Sequence, residues 1–96
     1  MNTPEKKFST GAIIATVWQN QGKGRNGEAT DYRTVSFQRR YKDIDGTWKS
    51  TNSLRLNDLP RASLVLQKAY EYIVMKEVNS SSQSHSAEEE LTEEVI

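Results

Sequence analysis

Apolar and polar positions alternate along three stretches of this chain, and a helical stripe follows them. From Lys7 to Trp18 (KFSTGAIIATVW) β-branched and aromatic residues accumulate. Alternation puts Ile13, Ala15 and Val17 on one face of a strand and Ile14, Thr16 and Trp18 on the other, with Gly11 marking a bend. Gln19–Thr30 (QNQGKGRNGEAT) has almost no apolar residue and predicts a mobile connection. A second strand, Tyr32–Lys42, groups Val35 and Phe37 with Arg33, Arg39 and Tyr41, opposite Tyr32, Thr34, Ser36, Gln38 and Arg40. Asp43-Ile44-Asp45-Gly46 predicts a hairpin turn with Gly46 at positive φ. A third strand, Thr47–Leu56, is expected to turn Trp48, Leu54 and Leu56 to the core and Lys49, Thr51, Ser53 and Arg55 outward. One sheet with a covered face and an open face follows.

The helix begins after Asn57 or Asp58, either of which can cap it, with Pro60 in the first turn where a missing N–H costs nothing. Ala62, Val65, Leu66, Ala69 and Ile73 recur at three- and four-residue steps. Leu64, Tyr70, Tyr72 and Val74 lie off that stripe or at its margin, and the core is thin, so self-association through the helix is expected. The class is α+β: an antiparallel sheet of three to four strands followed by one C-terminal helix.

Charge divides the 96 residues further. All 13 Lys and Arg lie between Lys6 and Lys76, and over residues 1–76 seven carboxylates leave a net +6; residues 77–96 hold six Glu and no Lys or Arg. The expected organisation is a disordered N-terminus at 1–5, a sheet-plus-helix domain at 6–77, and a disordered Ser-rich acidic tail at 78–96. A basic body suggests a polyanionic partner. There is no cysteine, no apolar run of the length a membrane span needs, and one histidine, His85, in the tail. The expectation is a cytoplasmic protein that is not an enzyme and takes no metal, cofactor or small-molecule substrate. Gly22–Gly27 lacks the ending of a phosphate loop, and Asp43–Gly46 lacks the distal glutamate of a calcium loop.

Binders of single-stranded nucleic acid combine cations for phosphates with aromatic rings on which bases stack. On the expected open face lie Gln38, Arg40, Lys49, Thr51, Ser53 and Arg55, with Trp18 as a platform and Lys23 and Arg25 on the long loop to close over the strand. Arg39 adjoins this set, and Tyr41 joins it only if a bulge near Arg39–Arg40 flips the register. Trp18 has packing in the sheet as its alternative role, and Lys49 and Arg55 have that of solvated charges. Single-stranded DNA, single-stranded RNA and an acidic protein partner all fit these residue types.

The order of motifs narrows the field. A Lys-Phe-x-x-Gly opening precedes an Ala-Thr-Val-Trp strand. Arg-Arg-Tyr-Lys-Asp-x-Asp-Gly-x-Trp-Lys follows, then Ser-Leu-x-Leu running into Asn-Asp-Leu-Pro and a helix. This layout resembles, over residues 6–77, the single-stranded-DNA-binding domain of the positive cofactor four transcriptional coactivators and, more distantly, the Whirly proteins. The resemblance implies a curved four-stranded antiparallel sheet with Phe8–Gly11 as a separate short strand, and a homodimer formed through the helices. It implies sequence-tolerant binding of single-stranded DNA, in transcription, replication or repair. By position Tyr41 and Lys49 match a stacking aromatic and a DNA-contacting lysine, Trp18 lies near a second aromatic, and Gln38 replaces an arginine that Arg39 and Arg40 adjoin. The Gln21–Thr30 loop is longer than the family's tight turn. A tethered acidic tail would compete with nucleic acid, more so if Ser80, Ser81 or Ser82 were phosphorylated; a solubilising extension is the alternative.

Overall fold

A computed structural model describes residues 3–24, 26–80 and 92–96. Along the chain run β1 (Thr3–Thr10), β2 (Ile13–Lys23), β3 (Ala29–Lys42), β4 (Trp48–Thr51), a 3-10 turn at Leu56–Asp58, α1 (Leu59–Ser80) and β5 (Thr92–Val95). They build one five-stranded sheet in the order β4-β3-β2-β1-β5, with α1 on one face. The first four strands pair antiparallel, and β5 runs parallel to β1. The α+β class stands as expected. The sheet, however, is mixed and has a fifth strand that follows the helix.

The core forms where the alternation of β2 meets the stripe of α1. Ile13, Ala15 and Val17 of β2 and Phe8 of β1 pack against Ala62, Val65 and Ala69, and all seven are buried. Alanines at 15, 62 and 69 let the helix backbone lie close to the sheet. The Phe8 and Tyr72 rings meet edge to face with centroids 6.1 Å apart. Two carboxylates fasten the helix to the sheet. Asp58 accepts the Arg55 backbone N–H at 2.8 Å and lies 3.4 Å from Arg39 Nε of β3. Farther along α1, Tyr72 Oη donates to Glu5 at 2.6 Å, and Arg33 Nε donates to the same carboxylate at 2.9 Å.

Four expectations are corrected. The N-terminal segment is not frayed from Thr3 onward. Thr3–Glu5 belong to β1, and Glu5, at a register shift between Pro4 and Lys6, is held by Arg33 and Tyr72. β1 is accordingly one eight-residue strand, and Gly11 and Ala12 form its hairpin turn with β2.

The expected mobile connection is a hairpin arm, in which Asn20 to Lys23 pair with Tyr32 to Ala29. Its polar composition reflects a ribbon with little cover, held by ladder bonds and by an Asn20–Thr34 side-chain bond of 2.9 Å.

β4 ends at Thr51 rather than Leu56, since the chain leaves the sheet to enter the helix. The tail, expected unstructured from 78, continues α1 to Ser80 and returns as β5. Arg25, Ser81, Ser82 and His85 lie outside the described residues. Among the described residues no helix is long and apolar enough to cross a membrane.

Candidate nucleic-acid interface

The register of the β3–β4 hairpin decides which residues share the uncovered face. Gly46 N–H donates to Asp43 O at 2.9 Å and Asp43 N–H to Thr47 O at 2.8 Å, with Gly46 at φ +86°. Glycine takes that left-handed value without a Cβ clash. The turn thus contains one residue more than a four-residue loop would, and Lys42 faces Trp48, Arg40 faces Ser50, and Tyr41 faces Lys49. A one-residue shift exchanges the faces of a strand. The β2–β3 hairpin closes in the same way. Gly24 N–H donates to Glu28 O, Gly27 N–H donates to Gly24 O, and Gly27 has φ +78°.

Trp48, expected in the core, therefore stands on the open face with 63% of its surface exposed. Lys49 and Thr51, expected there, are on the helix side with Arg39 and Tyr41. No bulge interrupts Arg39–Arg40, so Tyr41 stays with Val35 and Phe37, and the Arg39 guanidinium lies 5.6 Å from its ring centroid. Lys49 Nζ reaches Asp43 at 2.5 Å. Arg55, in the loop, donates through Nε to Asp58 at 3.2 Å. Of the expected set, the open face keeps Trp18, Gln38 and Arg40, while Lys23 sits exposed on the arm.

The open face adds residues that the strand pattern assigned elsewhere or left aside. Arg40 places its guanidinium 5.6 Å from the Trp48 ring centroid, and Lys42 is Trp48's cross-strand neighbour. Lys7 of β1 pairs with Thr16 on the same face. Arg40, Lys42 and Lys7 make no ion pair among the described residues. Trp18 Nε1 donates to Ser36 Oγ at 2.8 Å, which fixes the indole against β3. The Tyr32 ring, 53% exposed, lies over Gly22, where an added Cβ would come within 3.1 Å of it.

A concavity of about 540 Å³ opens among Ser9, Gly11, Ala12, Ile14, Arg40, Trp48 and Glu93. An adjoining one of about 370 Å³ brings in Lys7, Gln38, Ser50 and also Lys49. Among the described residues Glu93 is the only carboxylate lining either.

Three of the body's acids, Asp43, Asp45 and Asp58, are engaged elsewhere. Lys49 and the Ile44 N–H hold the Asp43 carboxyl below its usual range; the Thr47 hydroxyl and N–H do the same for Asp45. Asp58 is lowered first by its bonds from Arg55, then by the charges of Arg55 and Arg39. Arg39, Lys49 and Arg55 are thus locally neutralised, whereas the open-face cations are left to attract an anion. No family model, curated protein or solved structure matches the chain.

Proposed function

We propose that this protein is a binding module, not a catalyst, that holds single-stranded DNA with little sequence preference along the uncovered face of its sheet. The observation that carries this reading is Trp48, mostly exposed on that face, with Arg40 against its ring and Lys42 and Lys7 nearby. An exposed tryptophan costs solvation unless a flat apolar surface covers it, and a base is such a surface. Trp18 and Tyr32 extend the aromatic track along β2 and β3. Lys7, Arg40 and Lys42 take phosphates, and Lys23 on the arm takes one more. The resemblance to positive cofactor four domains supports the same partner through different side chains, with Trp48 in place of Tyr41 and Arg40 in place of Lys49. Transcription, replication or repair is the setting it suggests.

A homodimer through α1 is part of the proposal. Leu59, Leu66, Tyr70 and Val74 are exposed along one flank of the helix, at 50%, 39%, 64% and 36%. On the sheet beneath, Val17 is fully buried while its β3 neighbour Val35 is 38% exposed. A second copy's helix would cover both strips. Curvature of the sheet toward the open face is also proposed, supported by the burial there of Thr16 and Asn20, which no helix covers.

Titration with oligo-dT tests the reading. Tryptophan fluorescence should be quenched, and three to four phosphate contacts predict a log–log salt slope of about −2 to −3. Quenching by duplex DNA at equal affinity, or no quenching, would contradict it. An RNA oligomer of the same length decides whether the 2′-hydroxyl is tolerated.

A further inference from the structure

We infer that the acidic C-terminus is a built-in occupant of the nucleic-acid site: β5 docks on the β1 edge, delivers Glu93 into the Arg40–Trp48 concavity, and must leave for a single strand to bind fully. The inference rests on the single-strand reading and assigns its regulation.

Three observations carry it. β1 would otherwise be an edge strand with a row of unpaired backbone groups, and β5 pairs with it in parallel, setting Lys7 opposite Glu93 and Ser9 opposite Val95. The contact is specific at both ends: Ser9 Oγ donates to Glu93 at 2.7 Å, and Ile96 N–H donates to Ser9 O at 2.7 Å. Parallel partners point the same way, so Glu93 stands on the open face beside Lys7, and it lines both concavities that contain Arg40 and Trp48. The carboxylate thus occupies the place a phosphate would take and, without a direct ion pair, lowers the positive potential there.

Docking is weak enough to be reversible. β5 is four residues long, Glu93 to Ile96 are exposed, and Val95 remains 73% exposed. Eleven residues, 81–91, link it to α1, a tether short enough for a local concentration on the order of millimolar. If the strand is docked in about 80–90% of molecules, apparent affinity for nucleic acid falls about five- to tenfold.

The test compares the full chain with a chain ending at Leu91 and with full-length Glu93→Gln, using oligo-dT at low salt. The truncated chain should bind about five- to tenfold more tightly, Glu93→Gln should lie between the two, and a peptide of residues 88–96 added to the truncated chain should weaken binding again. In the full chain the Ile96 amide should be protected from hydrogen exchange, a readout independent of DNA. Equal affinities of the three proteins, with the full chain still binding, would overturn the competition and leave the single-strand reading intact. An unprotected Ile96 amide would overturn the docking. Failure of all three proteins to bind any oligonucleotide would sink the single-strand reading and the competition with it.

Discussion

The two faces of the sheet carry similar residue types and put them to opposite uses. On the helix side, Arg33, Arg39 and Lys49 are each tied to a carboxylate, and Tyr41 lies under Arg39. On the open side, Arg40, Lys42 and Lys7 have no ion pair among the described residues, and Trp48 projects beside them. Cations paired within the fold position its elements; cations left unpaired on one surface create a field for an external anion. The parity of two adjacent residues, Arg39 and Arg40, separates the two roles.

The largest effect is expected from breaking the covered face. Phe8→Ala removes a buried ring that packs on the core and meets Tyr72, and should cost about 3–5 kcal/mol in denaturant unfolding. A loss under 1 kcal/mol would mean that α1 does not depend on that contact.

The turn that sets the parity comes next. Gly46→Ala forces a side chain into the left-handed region and should cost about 1–2 kcal/mol, with oligo-dT affinity falling as β4 loses its register. Unchanged stability would show that the turn does not hold Trp48 in place.

The smallest effect lies in the acid limb of stability. Asp58, held below its usual carboxylate range chiefly by Arg55, contributes fully above about pH 4 and loses that contribution as pH falls through its lowered folded value. Thermal melts from pH 7 to pH 2 should therefore show a shallower acid decline in Asp58→Asn than in the parent. Identical slopes would remove Asp58 from the fastening of the helix entry.

Much of the covered face was legible in the sequence. The alternation Ile13-Ala15-Val17 is buried, and of the stripe Ala62-Val65-Leu66-Ala69-Ile73 the residues Ala62, Val65 and Ala69 are buried, Ile73 is partly so and Leu66 is exposed. The arm was not legible, because strands paired away from the helix need no apolar residue and Gln19–Thr30 carries almost none. Trp48 was misassigned through its chemistry: a tryptophan suggests a core, while the five-residue spacing from Asp43 to Thr47 with Gly fourth encoded the opposite parity. β5 was hidden because Thr-Glu-Glu-Val looks solvated, and its pairing depends on an edge strand, β1, at the opposite end of the sequence.

The most direct measurement is the paired effect of Trp48→Ala and Tyr41→Ala on oligo-dT affinity, with circular dichroism confirming that both variants are folded. Loss of a stacking platform on the open face predicts a weakening of about 1–3 kcal/mol, roughly 5- to 150-fold, for Trp48→Ala. Tyr41→Ala, on the helix side, should change affinity by less than about twofold. Equal losses, or a larger loss at Tyr41, would contradict an interface on the open face.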